Sequence, residues 1–426
     1  MAILLLDSMG LKELLRSKTV RNGTAFSIYS FFNKGTSFLL LLILANYIQP
    51  KEYGELSIFN TVVMILGYVV SLSVHSYLSV SYFQRSKEDF RKDFSAICII
   101  TIIASFILFV VLALDIDWWS GVLKIPEDLV LFPLLLATLN VFVHMNTDLL
   151  RVQERIKEYG VFSCCFAISN MLLTLYLVIC QEQNWRGFIY AKLLCDCLFG
   201  LISLFRFYKF KLFTITKDFN IYKTLLLFGL PVIPHHLANW IRQGCDRYII
   251  DYFYDTTEVG LYSFALNLVS IITMIGTAFN ATNSVNIYKT LSADFSSTEK
   301  KAKLKRIERY IALLYLCFTI LIVVGSVVFV PILLPKYSSC VTYFLILSVS
   351  GLMICLYFLK CNYLFYFKRT KTLMYITFGT SIIHLTLSLL LTRYSLFYTC
   401  IIYSTMYFIM FLLTSIQANK LLTKEI

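Results

Sequence analysis

Long apolar segments follow one another along the chain from about residue 24 to residue 417, and short polar stretches separate them. Each segment is long enough to cross a hydrocarbon layer of about 30 Å as a helix. The pattern therefore predicts twelve membrane-spanning helices, here called spans 1 to 12. Their predicted bounds are about 24–48, 56–82, 95–114, 129–150, 160–181, 187–206, 225–251, 259–287, 310–331, 341–366, 373–392 and 396–417.

The composition agrees with this pattern and excludes a soluble enzyme. Of the 426 residues, 58% are hydrophobic and 15% are charged, whereas soluble domains are about 45–50% apolar and about 25% charged. Because the connecting segments are too short for a separate domain, the predicted fold class is an all-α polytopic membrane protein. The twelve cysteines show no metal-ligand spacing and no phosphate-binding P-loop occurs, so no cofactor or metal is predicted and an ATPase is disfavoured.

Basic residues are distributed unevenly between the two sides of the predicted membrane. With the N-terminus in the cytoplasm, the cytoplasmic segments carry 28 Lys and Arg residues and the opposite segments carry five. Cytoplasmic loops of membrane proteins normally carry this excess, so both termini are predicted to be cytoplasmic. The asymmetry accounts for most of the net charge of +13, and no nucleic-acid partner is predicted.

A short repeat relates the two halves of the chain. The connection between spans 1 and 2 reads "PKEYGELSIF" (50–59), and the connection between spans 7 and 8 reads "TTEVGLYSFA" (256–265). Three residues recur at an offset of 206, namely Glu52, Gly54 and Ser57 with Glu258, Gly260 and Ser263. Six spans return the chain to its starting side, so the repeats are parallel. We predict two pseudo-symmetric six-helix bundles, residues 1–215 and 216–426, around a central cavity that opens alternately to each side.

Span 7 carries an unusually polar stretch, "IPHHLANWIRQGCDRYIIDYF" (233–253). One face of a helix would hold polar residues at spacings of 4, 3 and 4: His235, Asn239, Arg242 and Asp246. Two prolines near the start of the stretch favour a kink. Spans 1, 2 and 8 also have polar faces. Since spans 1 and 2 correspond to spans 7 and 8, the sequence predicts a polar cavity between the halves.

Five basic residues lie inside predicted spans: Lys34, Lys192, Arg242, Arg247 and Lys360. A charge at the bilayer centre costs about 2.5–3.5 kcal/mol on insertion scales, so such residues normally face the protein interior or water. A positive cavity suits an anionic substrate, and the arginine fork matches phosphate oxygens. The residues predicted to bind an anionic substrate are Lys34, His235, Asn239, Arg242, Arg247 and Lys360.

Structural roles compete with substrate binding at several of these positions. Arg242 could pair with Asp246 four residues away, and Lys34 could belong to an internal ion pair. Arg247 could form a salt bridge at the outer end of span 7. Lys360 lies close enough to the cytoplasmic end of its span to extend towards the interface.

Other polar residues inside the spans favour structural interpretations. Lys192 and Asp196 are four residues apart, and we expect an intrahelical ion pair. The three isolated histidines are expected to pack or to form hydrogen bonds, namely His75, His144 and His384. The adjacent His235 and His236 lack an accompanying set of acidic metal ligands.

Several motifs resemble those of a known family. The stretch 229–263 is similar to the seventh-span signature of polysaccharide exporters in the multidrug/oligosaccharidyl-lipid/polysaccharide exporter superfamily, with a GLP start, a D-R-Y triplet and an E-x-G-x-Y-S turn. Three further stretches resemble the same family: "IQPKEYGELSIF" (48–59), "LLRVQERIKEYGVF" (149–162) and "LPKYSSC" (334–340). The matches cover most of the chain in the family's order. The branch that the chain most resembles is the Wzx-type O-antigen flippase.

The resemblance implies a function and a location. A Wzx-type flippase moves an undecaprenyl-diphosphate-linked oligosaccharide from the cytoplasmic to the periplasmic leaflet of the bacterial inner membrane. Coupling to an ion gradient is implied, with Asp246 or a histidine as the proton carrier. Membrane lipids, a glycan polymerase and a chain-length regulator are the partners that the resemblance suggests.

Three other functions remain open at this point. A drug or cation exporter of the same superfamily should have carboxylates in its cavity, often one in span 1, where this chain has Lys34. A lipid II flippase of the superfamily should have two further spans. A membrane-embedded glycan polymerase or glycosyltransferase should have a large extramembrane loop or an acidic motif, whereas the longest periplasmic segment, 115–128, is predicted to be an interfacial loop.

Overall fold

The computed structural model describes residues 18–214 and 216–425, with side chains for 25–424 apart from 27, 215, 281 and 282. The N-terminal segment that was predicted to be cytoplasmic lies largely outside the described residues. The described part is helical throughout, and twelve of its helices are long and apolar enough to cross a membrane. The predicted polytopic all-α fold is therefore confirmed.

Most helices contain the predicted spans and several extend beyond them, most of all span 9, which begins at Ser297 rather than at about residue 310. In chain order, their helices are Lys18–Tyr47; Pro50–Val70, Val74–Ser76 and Tyr77–Gln84; Lys87–Ala113; Phe132–Val152; Ile156–Leu175 and Tyr176–Cys180; Asn184–Lys209; Phe219–Gly229, Leu230–Val232, Ile233–Gln243 and Cys245–Phe253; Thr256–Ser292; Ser297–Leu333; Cys340–Tyr366; Thr370–Leu391; and Leu396–Glu425. Short helical turns connect some of them, at Ile116–Leu123, Glu127–Leu129 and Pro335–Tyr337.

Spans 2 and 7 are interrupted, and the two interruptions pack against each other. In span 2, Leu72 and Ser73 adopt left-handed backbone angles, with φ of 44° and 56°, which end the first helix. In span 7, the turn Leu230–Val232 precedes a second helix, as the prolines predicted. A Cβ atom at Gly229 would overlap the carbonyl oxygen of Leu72. Glycine therefore allows the backbones of the two halves to meet here.

Span 7 contacts both halves of the molecule. Its first helix, Phe219–Gly229, packs on the N-terminal half, where Leu225 joins a buried cluster with Val74, Phe94 and Phe207. Its next helix, Ile233–Gln243, packs mainly on span 11. The predicted boundary between the two bundles lies at residues 215 and 216, before span 7. In the structure, span 7 packs against both bundles.

The repeated residues of the two halves touch each other. We call the membrane face on which the described chain begins and ends the termini face, and the opposite one the far face. At the far face, a Cβ atom at Gly54 would overlap the carbonyl oxygen of Thr256, and one at Gly260 would overlap that of Pro50. Close by, the Ser57 hydroxyl donates to the Ser263 hydroxyl at 2.7 Å. Residues that are 206 positions apart thus meet directly, as expected near a two-fold pseudo-symmetry axis.

An aromatic group strengthens this contact. The Tyr53 ring lies 5.5 Å from that of Phe264 and 5.8 Å from that of Tyr337. The Asn267 side-chain amide donates to the Tyr53 hydroxyl at 2.5 Å, and the Tyr337 hydroxyl donates to the carbonyl of Ile48 at 3.2 Å. These contacts join spans 2 and 8 to the segments that directly follow spans 1 and 9. Together with the glycine and serine pairs they form what we call the far-face seal.

Candidate functional site

Arg242 is a buried cation whose hydrogen-bond partners are all uncharged. Its side chain is 8% exposed. Its Nη1 atom donates to the carbonyl of Thr377 at 2.7 Å and to the hydroxyl of Ser381, both on span 11. Its buried Nε atom has no hydrogen-bond partner among the described residues, and within that part of the chain no carboxylate pairs with it. The expected alternative, a pair with Asp246, does not form.

Asp246 has different partners on two other spans. It is 2% exposed and accepts a hydrogen bond from the Tyr262 hydroxyl at 2.8 Å. The Nε2 atom of His384 lies 3.0 and 3.1 Å from its two carboxylate oxygens. Gly244 separates the helix that carries Arg242 from the next helix, which begins at Cys245 and carries Asp246, so the regular i, i+4 geometry with Arg242 is lost. This break explains why the two oppositely charged residues remain separate.

One face of span 11 receives both residues of span 7. Thr377 and Ser381, the partners of Arg242, are four residues apart. His384, the partner of Asp246, follows three residues later. This spacing places them on a single helix face. The predicted polar stripe of span 7 therefore lies opposite a second polar stripe, on span 11. The spacing of that second stripe is visible in the sequence, but its position opposite span 7 is not.

The same region contains a group of possible metal ligands. One ligand atom each from Cys245, Asp246 and His384 lie within 4.8 Å of one another, and all three residues are buried. The Cys245 thiol donates to the carbonyl of Ile241 at 2.6 Å. Thiolate, carboxylate and imidazole are the donors that proteins use for zinc. In the described part of the chain, these three residues are close enough together to hold a metal ion.

Arg247 belongs to the far-face seal. Its Nε atom donates to the Ser57 hydroxyl at 2.5 Å, and its Nη1 atom donates to the carbonyl of Gln243. Ser57 in turn donates to Ser263. The expected alternative of a salt bridge is not formed, because Asp251 instead pairs with Lys124 at 3.9 Å. Arg247 thus connects span 7 to the meeting point of the two halves.

The remaining predicted residues lie elsewhere. Lys360 pairs with Glu308 of span 9 at 2.7 Å, in a half-buried contact, which the sequence analysis missed because the two residues are 52 positions apart. Lys34 is exposed, and no described residue forms an ion pair with it. His235 is exposed and Asn239 is half-buried, both on the helix that carries Arg242. The structure therefore brings Arg242 and Asp246 to one partner helix and separates Arg247 and Lys360 from them.

Comparisons with known proteins agree with the fold and give the family. Residues 19–282 match the profile of the family described as "Polysaccharide biosynthesis protein". A protein of the Lsg locus of Haemophilus influenzae is 22% identical over 86% of this chain and 90% of its own. An uncharacterised membrane protein of the same species is 23% identical over 86% of this chain and 88% of its own.

A solved structure has the same fold over nearly the whole length. It is an inward-facing multidrug resistance MATE family transporter of the MOP superfamily, with a TM-score of 0.71 at 11% identity over 99% of this chain and 97% of its own. The predicted resemblance to polysaccharide exporters is confirmed. The family profile covers more than half of the chain. The chain therefore belongs to the polysaccharide biosynthesis family, in which it is a multi-pass bacterial membrane transporter rather than an enzyme.

Proposed function

We propose that the protein is a flippase that moves an undecaprenyl-diphosphate-linked oligosaccharide from the cytoplasmic to the periplasmic leaflet by alternating access. The observation that carries this proposal is Arg242, a buried guanidinium that has neutral partners on one side and a donor without a partner on the other. A buried cation without a counter-ion is costly. It is therefore best explained as a site at which an anion binds.

The chemistry of Arg242 suits a diphosphate. A guanidinium has five N–H donors in a planar fork, and the contacts to Thr377 and Ser381 use only its Nη1 atom. The Nε and Nη2 donors remain for two phosphate oxygens in a bidentate contact. The neutral contacts to span 11 orient the fork without competing for its charge. Lys34, His235 and Asn239 are the further predicted residues that remain available for the substrate.

Asp246 is the proposed site of ion coupling. With His384 it forms a buried carboxylate–imidazole pair, and we assign to this pair the proton that drives transport. Arg242 faces the same stripe of span 11. When the pair takes up a proton, the negative charge near Arg242 decreases, and Arg242 attracts an anion more strongly. Proton binding at Asp246 and diphosphate binding at Arg242 are thus favourable together, which is one requirement of coupled transport.

Arg247 and the predicted partner proteins also have roles in this transport cycle. Arg247 stabilises the far-face seal through Ser57, and release of that contact would accompany opening towards the periplasm. With both termini in the cytoplasm, the far face is periplasmic. A glycan polymerase and a chain-length regulator would receive the product there.

The first test replaces the proposed anion ligands. Arg242→Ala and Lys34→Ala should each reduce surface glycan, because either change removes a positive charge from the cavity. Surface glycan is measured by gel and lectin blot in cells that lack the chromosomal gene. The matched control is Arg393→Ala, which removes an exposed arginine at the far face. Insertion of every variant is checked by the amount of protein in the membrane fraction.

Two results would count against the proposal. Wild-type glycan in both variants would contradict the assignment of the anion site. Normal glycan combined with loss of ethidium efflux would instead favour a drug or cation exporter, the alternative function within the same fold.

A further inference from the structure

Four of the five histidines of the chain converge where the two halves meet. His75 lies in the turn Val74–Ser76 at the interruption of span 2, and His144 lies on span 4. His235 and His236 lie at the start of the second helix of span 7. We call these four residues the histidine cluster. His384, which pairs with Asp246, is not part of it.

Ring contacts and a hydrogen bond hold His75, His235 and His236, and electrostatic interactions relate His75 to the other members of the cluster. The His236 ring stacks on Tyr68 of span 2, with ring centroids 4.3 Å apart and planes 6° apart. The rings of His235 and His236 are 6.0 Å apart. The Ser71 hydroxyl and the Nδ1 atom of His75 are 2.8 Å apart. His75 also lies within electrostatic range of His144 and His236.

The cluster has little negative charge around it. The charged groups near His144 are Asp148, Lys192 and Asp196, and each of the two carboxylates already has a basic partner. The charged or titratable groups that face His75 are histidines, and His236 likewise faces His235. Within the described residues, no carboxylate forms an ion pair with a member of the cluster. If the imidazoles take up protons, their positive charges repel one another unless an anion joins them.

The cluster lies on the termini-face side of Arg242. Span 7 runs from the termini face to the far face, and its histidines precede Arg242. Spans 2 and 4 run the other way, and His75 and His144 lie in their second halves. His235 and Arg242 are seven residues apart on one helix face, about 10 Å along the axis. An anion that moves from the termini face to Arg242 would meet the histidine cluster first.

We propose that the histidine cluster is a diphosphate-binding subsite whose positive charge is supplied by protons taken up when the anion binds. This inference rests on the proposed function, because it assumes that a diphosphate-bearing substrate passes Arg242. Free imidazole changes its charge between about pH 5 and pH 8, so a nearby dianion can draw protons onto the cluster near neutral pH, and by linkage proton binding strengthens anion binding. Unlike lysine or arginine, the cluster loses its charge when the anion leaves. It therefore does not retain the diphosphate.

The test counts protons during binding. The full-length protein in detergent micelles is titrated with undecaprenyl-diphosphoryl-N-acetylglucosamine, a diphosphate diester that has no ionisation of its own near neutral pH. Calorimetry at pH 7.5 in Tris and in HEPES, whose heats of protonation differ, gives the number of protons taken up. We expect about one proton or more per ligand, and a Kd that rises about tenfold per pH unit above pH 7 for each proton.

Variants assign the protons to the cluster. The triple variant His75→Gln, His235→Gln, His236→Gln should lose most of the uptake and most of the pH dependence of Kd. His235→Gln alone should lower the number of protons taken up, and it should not affect folding because His235 is exposed. This single variant therefore tests the inference even if the triple variant is unstable. His384→Gln removes the imidazole of the proposed coupling pair, so it should lose only the share of the uptake that belongs to that pair and keep the share that belongs to the cluster. Arg242→Gln should weaken binding at every pH and leave the slope unchanged.

The outcomes separate this inference from the proposed function. Tight binding of the diester without proton uptake overturns the inference and the proposed coupling at Asp246, but leaves the proposed diphosphate substrate intact. Unchanged uptake in His235→Gln and in the triple variant overturns the inference alone. Absence of binding to the wild-type protein overturns both. Uptake that disappears only in His384→Gln assigns the proton to the Asp246 pair and also overturns the inference.

Discussion

Two buried carboxylates, Asp196 in the N-terminal half and Asp246 in the C-terminal half, have partners of different kinds. In the N-terminal half, Asp196 is 0% exposed, and it pairs with Lys192 at 3.1 Å and accepts from the Asn140 amide at 3.0 Å. In the C-terminal half, Asp246 is 2% exposed and is bound by His384 and Tyr262. Lysine remains charged over the physiological range, whereas histidine titrates within it.

The difference indicates a division of roles between the halves. The Asp196 pair joins two residues of one helix, with a further contact to span 4, and we expect it to stabilise the N-terminal bundle. The Asp246–His384 pair contacts the same face of span 11 as Arg242, the proposed anion ligand. Pseudo-symmetric bundles thus differ in what they do: one buried carboxylate is structural, and the other is the proposed coupling site.

The largest expected effect comes from removing the charge of the coupling site. Asp246→Asn keeps the shape of the side chain and removes its titration, so gradient-driven transport should fall roughly 5–150-fold, the usual range of a coupling free energy. Transport is measured in proteoliposomes as movement of a lipid-diphosphate oligosaccharide under an imposed pH gradient. Asp117→Asn, at an exposed position, is the control. Wild-type gradient dependence in Asp246→Asn would remove the distinction between the two carboxylates.

The second effect concerns stability in the other half. Asp196→Asn leaves Lys192 without its partner in a largely buried site and should lower the free energy of unfolding by about 3 kcal/mol. Unfolding is followed by denaturant titration in detergent. The double variant Asp196→Asn, Lys192→Met should recover most of the loss, because no unpaired charge remains. A single variant as stable as wild type would mean that this pair does not stabilise the N-terminal bundle.

The smallest expected effect is the loss of one hydrogen bond to the coupling site. Tyr262→Phe removes a donor to Asp246 and should lower the free energy of unfolding by about 1.5 kcal/mol, the lower end for a bond to a charged group, because His384 remains in place. Tyr252→Phe, at a residue that is 77% exposed, should have no effect in the same measurement. Equal stability of the two variants would show that Tyr262 does not hold the carboxylate.

Features that depend on neighbours along the helix were predictable. The twelve spans follow from the length of apolar segments, and the Lys192–Asp196 pair forms as its spacing of four predicted. The kink of span 7 follows from its prolines. The interruption of span 2 at Leu72 and Ser73 was missed, because these residues have no local preference for left-handed angles and adopt them where span 2 packs against Gly229.

The far-face seal combines a feature that the sequence predicts with a feature that only the packing of the two halves decides. The repeat at an offset of 206 was visible in the sequence, and it marked Gly54 with Gly260 and Ser57 with Ser263 as equivalent pairs. That each residue directly contacts its own equivalent depends on where the pseudo-symmetry axis passes. Equivalent residues far from that axis are well separated, and a repeat in the sequence does not distinguish the two cases.

The amino-acid sequence by itself determined which residues cross the membrane, where the two repeats lie and which faces of the spans are polar, because hydrophobic burial and helical periodicity act over a few turns. Only the tertiary structure decided which charges meet. Arg242 contacts Thr377 and Ser381, and Asp246 contacts His384, across more than 130 residues of chain. These pairings depend on how the bundles pack and on the helix break at Gly244, which turns two neighbouring charges towards separate partners.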